Sequence, residues 1–241
     1  MSRKVALVVG AGDALGSAIA KRFAKEGYVV AVVRRDRDKL QTLVEEVEAL
    51  GGRAVAFGVD ARKEEQVIDL VAHVERELGP IEVAVFNIGA NVQFSLTETT
   101  AQKYFKVWEM ACFAGFLTGR EVAKPMLTRG RGSILFTGAT ASIRGAKNFA
   151  AFAGGKHGLR ALAQSMAREL GPQNIHVAHV LIDGAINTVF IRTLFPERYA
   201  LQSVDGILNP EHIAENYLHL HNQPRDAWTF EMDLRPYMEQ W

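Results

Sequence analysis

The stretch Val5-Ala6-Leu7-Val8-Val9-Gly10-Ala11-Gly12-Asp13-Ala14-Leu15-Gly16 decides the fold of this 241-residue chain. Its first five residues form a continuous apolar run, which is typical of a strand buried on both faces of a parallel sheet. The glycine-rich segment that follows leads into a helical pattern that continues to Glu26. A helix N-terminus with bare backbone N–H groups directly after a buried strand predicts a pyrophosphate site.

Outward from this stretch, apolar strand patterns alternate with helical patterns. The further predicted strands are 29–33, 54–57, 83–86, 133–137, 176–182 and 228–234. The further predicted helices are 36–50 (with Asp36 as N-cap), 63–78, 101–129, 150–170 and 210–220. This alternation predicts one α/β domain over residues 1–241, with a parallel sheet and right-handed crossovers.

One segment lacks a clean period. Residues 184–208 follow the sixth predicted strand and show neither helical nor strand spacing. We predict that they form a mobile substrate lid, within a lid segment that extends over 184–225.

The composition excludes several classes of protein. An apolar fraction of 48% and a charged fraction of 23% are ordinary for a globular domain. A formal net charge of +1 argues against nucleic acid as a partner. The single Cys112 excludes an intramolecular disulfide framework and fits a reducing compartment. No apolar run approaches the roughly 18 residues of a membrane span, so we expect a cytoplasmic protein without membrane partners.

A second stretch carries the chemistry. Phe152 and Lys156 are four residues apart and therefore lie on one face of the predicted helix 150–170. Together with the glycine-rich loop and the strand that ends at Thr137, this arrangement resembles the short-chain dehydrogenase/reductase (SDR) family. The family's active-site signature is Tyr-x-x-x-Lys, so the chain resembles a divergent subgroup with Phe152 at the tyrosine position.

The resemblance extends over essentially the whole chain. It implies a Rossmann-type doubly wound parallel sheet of seven strands, in the order 3-2-1-4-5-6-7, with three helices on each face. It also implies a homodimer or homotetramer that associates through the helices 101–129 and 150–170 and through the last strand.

The cofactor prediction begins at the glycine-rich loop, where the backbone can approach a phosphate without interference from Cβ atoms. The predicted contacts in this loop are Gly10, Gly12, Asp13, Leu15 and Gly16. Arg34 and Arg35 end the second strand, and guanidinium groups there favour the 2′-phosphate of NADP(H) over NAD. The alternative for this pair is a solvated basic start to the next helix. The resemblance adds Asp60, Ala61, Asn87, Gly89, Lys156, Ile186 and Thr188 to the cofactor site, and Asp60 could otherwise be a turn residue.

Three of the four catalytic positions of the family lack their polar group here. The resemblance places Ala111 at the family's asparagine and Ala139, thirteen residues before Phe152, at its serine. Only Lys156 remains. Phenylalanine cannot donate a proton, and loss of a positioned general acid typically costs about 10²–10⁴ in rate.

Other polar residues could replace the missing donor. Thr140 lies one residue beyond the serine position, and Asp183 replaces a proline that relatives carry after strand six. We predict Lys156, Thr140 and Asp183 as catalytic residues, with Asp183 a proton donor if burial raises its pKa, or a loop-capping residue otherwise. We predict that Ala139, Ser142, Asn148 and Phe152 line the substrate pocket, although Asn148 could instead cap the helix, and we expect no metal.

Two hypotheses of function follow from these residues. The first is an NADP(H)-dependent oxidoreductase that transfers hydride to or from a small organic substrate with an atypical proton donor. The second is an NADP(H)-binding protein without turnover, acting as a redox sensor. The aperiodic lid favours the enzyme, because a sensor needs no substrate pocket.

Overall fold

A parallel sheet organises residues 4–240, the part of the chain that a computed structural model describes. Seven strands lie in the order β3-β2-β1-β4-β5-β6-β7, and each neighbouring pair is parallel. The strands are β1 (Val5–Val9), β2 (Val29–Arg34), β3 (Arg53–Gly58), β4 (Ile81–Phe86), β5 (Gly132–Thr137), β6 (Ile175–Ile182) and β7 (Glu231–Leu234). The predicted fold class and strand order are therefore confirmed.

Helices connect the strands. They are α1 (Leu15–Lys25), α2 (Gln41–Ala49), α3 (Glu64–His73), α4 (Ala101–Trp108), α5 (Ala114–Arg129), α6 (Ala150–Leu170), α7 (Val189–Leu194), α8 (Pro196–Ala200) and α9 (Pro210–His221). Single π-helical turns follow α3 (Val74–Leu78) and join α4 to α5 (Glu109–Phe113). Within residues 4–240, no helix combines the length and apolarity needed to span a bilayer.

The helices cover both faces of the sheet. One core packs α3, α5 and α6 against it, and the other packs α1, α2 and α9. Strands β1, β4 and β6 are buried on both faces, which explains why they read as continuous apolar runs.

Some predicted boundaries are wrong. Asp36 does not cap α2, because its Oδ1 accepts from Asp38 N at 3.2 Å in a turn that continues as a 3₁₀ segment, Asp38–Leu40. Strand β7 begins at Glu231 rather than 228, since Trp228 instead stacks on His176, with 4.8 Å between the ring centres. The aperiodic segment 184–208 contains the short helices α7 and α8.

The carboxyl ends of the central strands meet at one edge of the sheet. Gly10, Asn87, Gly138 and Asp183 directly follow β1, β4, β5 and β6 in the chain. In doubly wound sheets this edge, where the strand order reverses, is where ligands bind.

Candidate active site

The glycine-rich loop is held between β2 and β4. Gly10 has φ +93°, and the backbone N–H groups of Gly10 and Ala11 both donate to Val33 O, at 3.0 and 3.1 Å. A Cβ atom on Gly10 would lie 2.8 Å from the Asn87 carbonyl carbon, and Asn87 Nδ2 donates to Gly10 O at 3.0 Å. The loop therefore needs glycine at this position, and Asn87 braces it.

The loop places the N-terminus of α1 at the carboxyl edge of the sheet. No side chain caps this end of the helix. A Cβ on Gly16 would overlap Gly10 O, whereas a Cβ on Gly12 would meet open space. Beside this N-terminus runs a groove of about 600 Å³, which Asp13, Ser17, Thr188 and other residues line. An uncapped helix end over a groove fits the pyrophosphate of a dinucleotide.

A second cavity, of about 350 Å³, lies at the end of β2. Arg34, Asp13 and Lys39 are among its lining residues, and Arg34 Nη1 donates to Asp13 Oδ1 at 2.9 Å. The structure thus brings two predicted cofactor residues together as an ion pair. It also adds Lys39 to the site. This residue was missed from the sequence because 36–50 was predicted as one helix, whereas Lys39 lies in the 3₁₀ segment Asp38–Leu40.

Four other predicted cofactor residues take no part in this ion pair. Arg35 is exposed. Asp60 is bound by Arg62, which donates to both carboxylate oxygens at 2.9 and 2.6 Å and holds the Asp60 pKa below its usual range. Ala61 is buried, and Gly89 is exposed, with open space where a Cβ would stand.

Lys156 is buried on α6 and is 2% exposed. Its Nζ donates to Thr137 O at 2.8 Å and to Ile88 O at 3.2 Å, which places the ammonium group over the ends of β5 and β4. Burial lowers the pKa of Lys156 to about 8. One of its three N–H donors remains available for a ligand.

Phe152 lies one turn before Lys156 in an apolar cluster at the same strand edge. Members of this cluster include Ala111, Ala153 and, at its border, Ala139 and Phe149. Ala111 is fully buried, and a Cβ on Gly155 of α6 would lie 2.8 Å from its methyl carbon. The π-turn Glu109–Phe113 thus interrupts the helix at Ala111 without an asparagine.

Asp183 forms the polar centre of the site. Its side chain is 0% exposed and accepts from Thr140 Oγ1 at 2.7 Å and from Arg144 Nη2 at 2.7 and 2.9 Å. Arg235 Nη1 lies 3.6 Å away on the other oxygen. Asp183 thus accepts hydrogen bonds from two neighbouring side chains, an arrangement that favours the loop-anchoring alternative over the proton-donor role. The Thr140 hydroxyl already donates its hydrogen bond to this carboxylate.

The remaining predicted pocket residues differ in exposure. Ser142 is fully buried and its Oγ accepts from Ala139 N at 3.1 Å. Asn148 is exposed, with φ +70°, and α6 has Phe149 as its N-cap without a side-chain hydrogen bond, so Asn148 does not cap the helix. Thr188 is the N-cap of α7, where its Oγ1 accepts from Ile191 N at 3.1 Å. Ile186 forms an isolated bridge with Leu208.

A buried histidine under the site was missed from the sequence, because it reads there only as part of a strand. His179 Nδ1 donates to Glu231 Oε2 at 2.9 Å, and Arg160 donates to both oxygens of the same carboxylate. Burial lowers the pKa of His179 to about 4. Its Nε2 is buried without a hydrogen-bond partner among residues 4–240 and lies where a Cβ on Gly138 would be.

Comparison with known proteins places this geometry in a family. The family model described as short chain dehydrogenase matches residues 4–198. A short-chain dehydrogenase/reductase of Armillaria gallica is 32% identical over 177 residues, which cover 72% of this chain and 68% of that protein.

Solved structures agree. A short-chain dehydrogenase from Rhodopseudomonas palustris is 49% identical, with a TM-score of 0.84 over 97% of this chain and 99% of that one. An alcohol dehydrogenase from the archaeon Thermococcus sibiricus, solved with 5-hydroxy-NADP, is 25% identical, with a TM-score of 0.86 over 99% and 98% of the two chains. The glycine loop, the buried lysine and these matches together show that the chain belongs to the short-chain dehydrogenase/reductase family.

Proposed function

We propose that this chain is an oxidoreductase that transfers hydride between NADP(H) and a small organic substrate, with an atypical proton donor. The observation that carries the proposal is Lys156, buried over the strand ends and bonded to Thr137 O and Ile88 O, with one donor left for a ligand. Bound NADP(H) would supply the hydride. The chain's own residues must bind the cofactor, exclude water and handle the proton.

Gly10, Gly12, Gly16 and the N-terminus of α1 would hold the pyrophosphate, since this backbone leaves a groove and carries the positive end of the helix dipole. Arg34 and Lys39 line the cavity where an adenosine 2′-phosphate would bind. The Thermococcus sibiricus relative with 5-hydroxy-NADP supports the choice of NADP(H).

Lys156 is the proton donor in this proposal. A pKa of about 8 lets the ammonium group hold a proton at neutral pH and release it at modest cost. The neutral amine would then be reprotonated from solvent. Thr140 and Asp183 take supporting roles: the threonine oxygen accepts a hydrogen bond from substrate, and the carboxylate orients the threonine and Arg144.

The segment 184–225 remains our candidate for the substrate lid. Its first helix exposes Val189, Phe190 and Leu194, and its N-cap Thr188 lies beside the groove of the cofactor. Exposed apolar side chains next to a ligand groove fit a segment that packs over a bound substrate.

The decisive experiment uses NADPH deuterated at C4 on either face, incubated with the protein and a metabolite extract. Mass spectrometry follows the deuterium, and NADPH binding is titrated in parallel. We expect the label to appear in a metabolite from one face of the cofactor only. Absence of NADPH binding would refute the cofactor assignment.

The second candidate is an NADP(H)-binding protein without turnover. The apolar surroundings of Phe152 and the ion-paired state of Asp183 favour it, because both remove ordinary proton donors from the site. Tight NADPH binding with every deuteron retained on the cofactor would decide for this candidate.

A further inference from the structure

The short helices of the candidate lid contain no buried residue. Every residue of α7, of α8 and of the following 3₁₀ turn, Leu201–Val204, is exposed or only partly buried. These three elements pack mainly against one another rather than against the sheet or the helices that cover it. A segment without buried side chains has little local stability, so contacts from outside the segment must fix its position.

The C-terminal segment 235–240, which directly follows β7, supplies such contacts. A Cβ on Gly184, the first residue of the lid, would lie 2.7 Å from Pro236 Cδ. Beyond the short helices, a Cβ on Gly206 would lie 3.3 Å from Met238 Sδ. The C-terminal segment therefore packs against the lid both before and after α7 and α8.

Glu239 fixes the middle of the lid. Its Oε2 accepts from Arg198 Nη2 of α8 at 2.6 Å, and the same oxygen lies 3.4 Å from the Cβ position of Gly184. The Glu239 side chain is only 17% exposed. Its backbone N–H donates to Pro236 O at 3.0 Å, so a turn holds the carboxylate in this orientation. One carboxylate thus connects α8 to the residue at which the lid begins.

The same helix α8 also reaches the groove beside the N-terminus of α1. Tyr199, the neighbour of Arg198, lines this groove of about 600 Å³, together with Thr188 and Arg192 at α7. Helix α8 therefore contacts the C-terminal segment with one residue and the groove with the next. If α8 moves away from the C-terminal segment, a wall of the groove moves with it.

We propose that the C-terminal segment 235–240 is a latch for the candidate lid, in which Glu239 holds Arg198 and thereby sets how fast a nucleotide leaves the groove. Glu239 is a positioning residue here, because it acts on the groove only through α8. An ion pair in which one partner is 48% exposed is weak, which suits a contact that breaks whenever the lid opens. The effect on nucleotide release rests on the proposed function, whereas the latch itself does not.

The test follows the lid directly. Hydrogen–deuterium exchange of peptides covering 189–204 is measured without cofactor for the wild type, Glu239→Gln, Arg198→Gln and the exchanged pair Arg198→Glu/Glu239→Arg. Glu64→Gln is the control, because it breaks a comparable ion pair, 2.5 Å long, between α3 and Arg120 of α5. For the same proteins, the rate of NADPH dissociation is measured by stopped-flow fluorescence after mixing with excess NADP⁺.

We expect lid exchange and NADPH dissociation to be about 2- to 5-fold faster in each single variant, as for the loss of a partly exposed ion pair. The exchanged pair should recover most of the wild-type rates, since it restores opposite charges across the same contact. Glu64→Gln should match the wild type. Peptides of β5 and β6 should exchange at wild-type rates in all variants, because only the lid is loosened.

Unchanged lid exchange in both single variants would overturn the latch. The same acceleration in Glu64→Gln, or no recovery in the exchanged pair, would also overturn it. Faster lid exchange with an unchanged rate of NADPH dissociation would overturn the coupling between the latch and the groove. If NADPH binds to none of these proteins, the cofactor assignment of the proposed function is refuted, and lid exchange alone decides on the latch.

Discussion

At the scale of single residues, Asp13 and Arg34 form an ion pair in the lining of the cavity at the end of β2. The guanidinium that a 2′-phosphate needs is engaged by a carboxylate at 2.9 Å, and that carboxylate is largely exposed. Exposed ion pairs are weak, so a phosphate dianion can displace Asp13, but at some cost in affinity.

Asp13→Asn should therefore shift cofactor preference further toward NADPH. We expect the ratio of NADH to NADPH dissociation constants to rise about 3- to 10-fold. This is the size of effect expected when one surface charge, here the Asp13 carboxylate, is removed near the site. Fluorescence titration of both cofactors measures this ratio. Asp38→Asn removes a charge from the same region outside the ion pair and serves as the control. A ratio that stays constant or falls in Asp13→Asn would show that Arg34 does not read the phosphate.

The burial of Lys156 predicts that cofactor binding depends on pH. Its pKa in the folded protein is about 8, against 10.5 for the free side chain, because the ammonium group is buried. If the positive charge of the ammonium group also attracts the anionic cofactor, NADPH affinity is constant below pH 8 and falls as pH rises through the folded pKa, by up to about tenfold per unit.

Titration of NADPH from about pH 6.5 to 9.5 tests this, since the window straddles the folded pKa of Lys156. Lys156→Met should bind more weakly and without the loss above pH 8, whereas Lys124→Met, at a surface position, should behave as the wild type. Wild-type affinity that stays constant to the alkaline limit would show that the charge of Lys156 does not contribute to cofactor binding.

The position of the His179 imidazole leaves no room for a side chain at residue 138. A Cβ on Gly138 would overlap the imidazole, so Gly138→Ala should lower the free energy of unfolding by about 1–3 kcal/mol through overpacking. Adding His179→Ala should relieve the clash, so the double variant loses less than the sum of the single variants.

Denaturant unfolding of the two single variants and the double variant gives this coupling. Gly145→Ala is the control, because its Cβ would meet nothing within 4 Å. Additive losses would mean that His179 moves aside without cost.

At the scale of elements, the close approach of α6 to the π-turn between α4 and α5 defines what the site can accept. Gly155 packs directly against the buried methyl group of Ala111, and neither position has room for a larger side chain. The packing of α6 against the π-turn therefore suits an alanine at residue 111, the position where the family resemblance implies asparagine.

Ala111→Asn should consequently destabilise the protein rather than restore activity. We expect a loss of about 2–4 kcal/mol in unfolding free energy, from overpacking and from a buried amide without a partner. Glu109→Asn, in the same π-turn but only partly buried, is the matched control and should change stability little. An Ala111→Asn protein of wild-type stability would show that the helices separate readily.

At the scale of the whole molecule, an aromatic row marks the outer face of α4 and α5. Phe105, Trp108, Phe113 and Phe116 stack in sequence with ring centres 5.8–6.1 Å apart. Phe105 is 56% exposed and Phe116 38%. We propose that this row is the contact of a homodimer or homotetramer, because such exposed apolar surface favours burial against a second copy.

Phe105→Glu/Phe116→Glu should then convert the assembly to smaller units. Light scattering should give a wild-type mass of two or four chains of 26.6 kDa and a smaller mass for the variant. Leu50→Glu places the same charge on an equally exposed apolar residue elsewhere and should leave the mass unchanged. A variant with the wild-type mass would place the interface on another face.

The sequence alone determined the fold, because its signals are local and periodic. Continuous apolar runs mark strands buried on both faces, helical spacing marks the crossovers, and glycine at position 10 marks the turn between them. The pairing of Phe152 with Lys156 was also readable, since residues four apart share a helix face. Asp183 was predicted as a proton donor or a loop-capping residue, and local sequence could not choose between the two roles because its partner Thr140 lies 43 positions away.

Only the tertiary structure decided how the polar groups of the site are used. Thr140 meets Asp183 across 43 positions in the chain, and His179 meets Glu231 across 52. No period or spacing relates such pairs. Their contacts follow from the parallel sheet, which pairs His179 of β6 with Glu231 of β7 and brings the carboxyl ends of β5 and β6 to one edge. Arg144 therefore reads as a loop cation in the sequence, and only the folded chain shows it anchored to Asp183.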